Sequence, residues 1–249
     1  MFEYILVGFA GLLGGVMNAA AGGGTFVTVP ALIAAGVPSV SANMTSTVAL
    51  FPGAFASAYA FRQDFRAFGE VSLKVLLATS LLGGAVGALL LTVTSSRIFD
   101  ALIPWLLLVG SVAFAFGRQI GAWLRKRVRL GPTALLVTQF VLGVYGGYFG
   151  GAVGLMMLAA WTIFGSDDLV AMAASRTLIV GATNATAVIF FVAIGTIYWA
   201  YAVVMLIAGV IGGYTGAKIA RRIPVQRLRV GISTLNFVIT TLFFWNTFA

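Results

Sequence analysis

The chain has 249 residues with a mean hydropathy of +1.06; 61% of residues are apolar and only 8% are charged, against about 25% charged in a soluble domain. No water-soluble core hides that much apolar surface, so the composition predicts an all-α polytopic membrane protein. It contains no cysteine and no histidine, which excludes disulfides, thiolate metal sites, thiol nucleophiles and histidine acid–base chemistry. The formal charge of +9 is read as basic loops against an anionic membrane surface, with no nucleic acid partner.

The first two apolar segments, about 4–20 and 25–36, are short for a span, which needs roughly 20 residues. Between them stand Asn18 and the triplet Gly22, Gly23 and Gly24, followed by Thr25. Exposed backbone N–H and C=O groups in hydrocarbon cost several kcal/mol each unless protein or a water-filled cavity satisfies them. A glycine-broken segment in an apolar chain therefore points to a cavity near the membrane midplane. The two segments form either a re-entrant hairpin or two thin helices. Ala19-Ala20-Ala21 resembles a signal-peptidase site, but no basic stretch precedes it and the first charge is Glu3; the segment is read as a retained helix.

The third segment, about 40–61, starts after Pro38 and carries Asn43, Thr45, Ser46 and Thr47. The fourth and fifth are about 71–93 and 98–117. A basic linker follows, with Arg125, Lys126, Arg127 and Arg129. The second half repeats the plan at about 133–149, 152–164, 168–195, 198–219 and 226–247. Its glycines stand at one offset from those of the first half: Gly14/Gly143, Gly22/Gly151, Gly36/Gly165, Gly83/Gly212 and Gly87/Gly216 are each 129 apart, as are Ser46/Ser175, Phe61/Phe190 and Phe114/Phe243. The expected organisation is a first transmembrane repeat over 1–120, a basic linker over 121–130 and a second repeat over 131–249.

Thirteen of the 15 basic residues fall on one side of this plan: Arg62, Arg66, Lys74, Arg118, Arg125, Lys126, Arg127, Arg129, Lys218, Arg221, Arg222, Arg227 and Arg229. That side is expected to be cytoplasmic, with both termini outside. An odd number of crossings per half inverts the second repeat relative to the first. Small residues at four-residue spacing, such as Gly83/Gly87 and Gly212/Gly216, fit close helix packing within the chain or, less simply, a dimer face. The tryptophans near segment ends fit interface anchoring.

Arg176 is the one basic residue set deep inside an apolar segment. It lies about eight residues beyond Asp168, roughly 12 Å deep at 1.5 Å per residue, in a core whose half-thickness is roughly 15 Å. None of the six acids lies at similar depth. A guanidinium there needs a partner: either a transported oxyanion, which suits arginine's planar donors, or Asp167 and Asp168 reached by snorkelling. Its counterpart at the 129 offset is Thr47. Asn18, Asn43, Thr45, Ser46, Ser175, Thr177, Thr183 and Asn184 are further candidate donors, unless their hydroxyls bond their own helix backbone. The breaks at Gly22–Thr25 and at Gly150 and Gly151 either aim backbone N–H groups at an anion or allow tight crossings. Asn18 either caps its break or faces the cavity.

No G-x-x-x-x-G-K-[ST] and no G-x-S-x-G is present, so neither a nucleotide loop nor a serine hydrolase of the usual type is expected. No cofactor, metal site or enzymatic activity is expected.

The blocks GLLGGVMNAAAGGGTFVTVPALIAAGVPSVSANMTSTVAL, GGYFGGAVGLMMLAAWTIFGSDDLVAMAASRTLIVGATN and GGYTGAKIARRIP resemble the sulfite exporter TauE/SafE family, also called the toluene sulfonate uptake permease family. The resemblance covers nearly the whole chain. It implies a multi-pass transporter in a bacterial inner membrane that moves sulfite, sulfonates, sulfoacetate or related small anions. The expected function is alternating-access transport of such an anion at a midplane site between inverted repeats, as a monomer or a homodimer. Anionic lipids are expected at the cytoplasmic face. The alternative from a different class is a non-transporting membrane scaffold acting through its basic cytoplasmic face. Coupling ion and direction stay open.

Overall fold

The computed structural model describes residues 1–21, 23–60, 71–127, 131–164, 169–220 and 225–248. Gly22, the loop arginines Arg62, Arg66, Arg129, Arg221 and Arg222, and the acids Asp167 and Asp168 lie outside the described residues.

The described chain is built from ten α-helices: α1 (Phe2–Ala21), α2 (Thr25–Ala34), α3 (Ser39–Ala60), α4 (Leu73–Val93), α5 (Ser96–Arg125), α6 (Pro132–Tyr148), α7 (Val153–Ile163), α8 (Leu169–Ile194), α9 (Trp199–Ala220) and α10 (Val225–Phe248). Five are long and apolar enough to cross a bilayer: α1, α4, α5, α8 and α9. α2 and α7, with ten and eleven residues, are about 15–16 Å long, half a hydrocarbon core. α5 is the one clear departure from the expected boundaries. It runs on through Arg125, so the start of the basic stretch is helical, and Arg127 lies 4.3 Å above the Trp123 ring.

Local chemistry explains the ends. Ser72 and Ser95 accept from the backbone N–H of Val75 and Ile98, capping α4 and α5. Pro132 occupies the first turn of α6, where its missing N–H is of no consequence. α2 stops in a Schellman turn. There the N–H of Val37 bonds the Leu32 carbonyl, and that of Gly36 bonds the Ile33 carbonyl. Gly36 supplies the left-handed φ of +84°, and Pro38 prevents continuation.

The helices pack through glycine. α1 lies along α9 and α4 along α6. A Cβ built on Gly212 would strike the Leu12 backbone, and one on Gly15 the Gly209 carbonyl. In the other crossing, Gly83 faces the Phe140 carbonyl and Gly87 the Val144 carbonyl. Both crossings bring backbone against backbone, the contact that small residues permit where no hydrophobic effect drives association. α3 packs on α8, and α5 on α10. The central core gathers Phe26, Phe99, Leu107, Phe149 and Phe191, all nearly inaccessible. It encloses the two short junctions α1–α2 and α6–α7.

Candidate functional site

The α6–α7 junction is the strained point of the backbone. Gly150 has φ +80° and Ala152 has φ +59°, the one non-glycine residue with positive φ among the described residues. A left-handed alanine costs about 1–2 kcal/mol, and such strain collects at functional sites. The φ of Gly151 between them is not positive. Alternating φ signs turn successive N–H groups into one concavity, the geometry that receives anions. The Gly150 N–H is used by the Tyr145 carbonyl, and the Ala152 carbonyl accepts from Leu155 and Met156. Among the described residues, no acceptor takes the N–H groups of Gly151, Ala152, Val153 or Gly154. All four residues are buried.

Arg176 reaches this helix start from α8. A Cβ on Gly154 would lie 3.1 Å from Arg176 Cδ and 3.4 Å from its Cγ, so the absent side chain at Gly154 makes room for the arginine stem. Arg176 is half-buried, and among the described residues no hydrogen bond or ion pair to its guanidinium is present. The stem of Arg176 thus packs against the first turn of α7, the positive end of its dipole, and no ion pair of Arg176 with a carboxylate is present among the described residues. That arrangement is unfavourable alone and favourable around an anion.

The α1–α2 junction differs in one respect: a side chain supplies an acceptor for one of its N–H groups. Asn18 Oδ1 accepts the Gly24 N–H at 3.0 Å. The Gly23 and Gly24 carbonyls accept from Phe26, Val27 and Thr28, and Thr28 Oγ1 adds a bond to the Gly24 carbonyl. Of the two readings of Asn18, the structure has it closing the break. Thr25 opens α2 and is half-buried. The junctions touch through aromatics: Phe26 and Phe149 rings meet edge-on at 6.4 Å, and a Cβ on Gly151 would lie 3.2 Å from Phe26.

The polar residues of α3 point to separate partners. Asn43 Nδ2 donates to the Tyr148 carbonyl at 2.9 Å. Ser46 and Thr28 share a hydroxyl pair at 2.6 Å. Thr45 Oγ1 accepts the Tyr198 N–H at 3.1 Å. Thr47 and Thr183 bond the carbonyls four residues back, of Asn43 and Ile179, the self-contained use of a helical hydroxyl. Ser175 is fully buried, Thr177 and Asn184 half-buried, on the helix that carries Arg176. Arg176 thus packs by its stem at Gly154, one turn beyond Gly150 and Gly151, and Asn43 bonds the last residue of α6; Asn18, Gly23, Gly24 and Ser46 gather at the other junction.

Sequence reasoning missed several buried polar groups. Gln139 Nε2 donates to Ser80 Oγ at 2.7 Å, and Trp161 Nε1 donates to Gln139 Oε1 at 2.9 Å, tying α7 to α6 and α4. Ser111 and Thr240 pair at 3.1 Å between α5 and α10. Asn236, one turn away, is inaccessible, with neither amide atom paired. The available signal was scattered polar residues in apolar runs, Ser80, Ser111, Gln139, Asn236 and Thr240, which carry little weight while their neighbours in space are unknown. No group of three or more metal-ligating side chains occurs among the described residues.

The model of the sulfite exporter TauE/SafE family matches residues 7–243. A "Probable membrane transporter protein" of Haemophilus influenzae is 31% identical over 232 residues, 92% of this chain and 90% of that protein. The "Probable membrane transporter protein YfcA" of Escherichia coli K12 is 26% identical over 85% of this chain and 78% of its own length. "Probable membrane transporter protein ORF9" of Sinorhizobium sp is 29% identical over 85% and 80%. No solved structure matches the chain.

Proposed function

Since this chain belongs to the sulfite exporter TauE/SafE family, we propose that this multi-pass membrane transporter carries a small oxyanion, of the sulfite, sulfonate or sulfoacetate kind, held at the α6–α7 junction. Arg176 neutralises the charge, and the N–H groups of Gly151 to Gly154 bind the oxygens. The observation that carries this reading is that the N–H groups of four buried residues, Gly151 to Gly154, find no acceptor among the described residues, with the Arg176 stem packed against Gly154. In a membrane interior each such donor left unmet costs several kcal/mol, and one bound anion meets them together. The α1–α2 junction, where Asn18 accepts the Gly24 N–H, meets the α6–α7 junction through Phe26 and Phe149.

Transport is by alternating access between two inverted repeats in a bacterial inner membrane, with the basic side cytoplasmic and both termini outside. Two features support the repeat. Ser111 and Thr240, which hydrogen-bond each other, are 129 residues apart, the offset of the glycine pattern; equivalent residues touch where a pseudo-two-fold axis passes. The α1–α9 crossing uses Gly212, and the α4–α6 crossing uses its equivalent Gly83. The inverted plan also makes α1–α9 and α6–α4 equivalent pairs.

The test is the thermal stability of purified protein against sulfite, sulfate, sulfoacetate, taurine and small carboxylates, for wild type and Arg176→Ala. Ligand binding stabilises the folded state by RT ln(1 + [L]/Kd), about 2.7 kcal/mol at 100 Kd. A selective shift with one anion, absent in the variant, supports the reading. Equal shifts in both proteins remove Arg176 from the site, and co-purification of a stoichiometric partner with no anion effect favours a scaffold.

A further inference from the structure

We propose that the C-terminus of α6, with Asn43 of α3, is a binding site for a monovalent metal cation of sodium size, adjoining the anion site within the same broken segment. It reaches beyond the proposed anion transport, because it names a coupling ion and rests on residues other than Arg176.

The orientation of the Asn43 carboxamide is fixed by its partner. The Tyr148 carbonyl lies 2.9 Å from one terminal atom of the side chain. A carbonyl accepts only from N–H, so that atom is Nδ2 and the other is Oδ1. Asn43 is 1% exposed, and its Oδ1 has no hydrogen-bond partner. A buried acceptor of this kind calls for a donor or a cation. The surroundings select the cation. α6 ends at Tyr148, so its last-turn carbonyls carry the negative end of the helix dipole. Among the described residues, the Gly146 and Gly147 carbonyls accept no hydrogen bond. No basic residue stands in the last turn of α6. Unsatisfied carbonyls at the end of a discontinuous helix are the groups that coordinate sodium in transporters built on broken helices.

All of these oxygens are neutral, and no cluster of carboxylates is present among the described residues. Divalent calcium and magnesium are held by carboxylates, whereas neutral carbonyl and amide oxygens suit a monovalent ion. Asn43 stands four residues inside the start of α3, on the end shared with Tyr198, whose N–H bonds Thr45. A cation there enters from the face opposite the basic loops. The anion site lies beyond Phe149 on the same chain segment, so cation and anion attract each other across the junction.

The experiment measures the melting temperature of the purified full-length protein at constant chloride and ionic strength, with sodium, lithium, potassium or choline as the sole cation. Wild type is compared with Asn43→Leu, which keeps the volume and removes Oδ1, and with Arg176→Ala. Sodium is expected to raise the melting temperature saturably over choline in wild type and in Arg176→Ala, and not in Asn43→Leu. Sulfite affinity in wild type is expected to be about tenfold tighter in sodium than in choline, as a coupling between neighbouring sites of ordinary size requires. Equal melting temperatures in sodium and choline, or an undiminished sodium shift in Asn43→Leu, overturn the cation site; Oδ1 then faces water. If Asn43→Leu does not fold, the wild-type sodium and choline series decides by itself. A sodium shift that persists while no anion binds leaves this site standing and overturns the anion reading instead.

Discussion

Arg176 and Gly154 form the most consequential pair of side chains, because the space left by one lets the other lie against the start of α7. Gly154→Val puts branched carbons where Arg176 Cδ now stands, 3.1 Å from a first Cβ. It is expected to weaken anion affinity at least tenfold while the protein still folds, as isothermal titration would read. Asn18→Ala removes the acceptor of the Gly24 N–H and leaves a partly buried donor unmet. A loss of about 1–2 kcal/mol of stability is expected, visible as a lower melting temperature at unchanged anion selectivity. At this scale the sequence was partly legible. A charge within an apolar run identifies Arg176 because its cost is independent of fold. The partners of Asn18, Asn43 and Thr45 were not legible, since a helical polar residue has the same spacing whether it meets a carbonyl, a hydroxyl or its own backbone. Ala152 was not legible at all: alanine gives no sign that a left-handed φ is imposed on it from outside.

The helices themselves were read closely, because long apolar runs punctuated by glycine, proline and serine leave few alternatives. The extension of α5 through Arg125 was missed since arginine and lysine are good helix formers, and a charge run reads equally as loop. Glycine's role divides by element. At Gly87 and Gly147 an added Cβ meets the backbone of the neighbouring helix, which cannot give way without separating α4 from α6. Gly87→Leu is therefore expected to abolish recovery of monodisperse protein in size-exclusion chromatography. Gly131→Ala, in open space at φ −84°, is expected to change nothing. Gly36→Ala also meets open space, yet forces a left-handed alanine, at about 1–2 kcal/mol. Size-exclusion and melting profiles that rank these three otherwise would contradict the packing described here.

At the scale of the molecule, Gly83 and Gly212, 129 residues apart, each stand at a backbone-on-backbone crossing, while the two junctions differ in one side chain. At the α1–α2 junction Asn18 accepts the Gly24 N–H; at the α6–α7 junction no side chain among the described residues accepts an N–H of Gly151 to Gly154. That asymmetry depends on Gly147 standing where the first half has Asn18, a substitution whose meaning appears only when the donors are counted in three dimensions. The absence of cysteine makes topology directly measurable. Single cysteines at Gly131 and Thr196, both exposed, are expected to react with an impermeant maleimide from opposite faces of sealed vesicles. Labelling from the same face would contradict the inverted plan.

A small oxyanion is expected to cross by way of the α6–α7 junction and Arg176. The measurement is uptake of labelled sulfite or sulfoacetate into proteoliposomes holding wild type or Arg176→Ala at equal protein content, with correct folding of each checked by its melting curve. Saturable uptake by wild type, reduced at least tenfold in Arg176→Ala, is the predicted result. Equal uptake by the two proteins would contradict it and place the path of the anion elsewhere in the molecule.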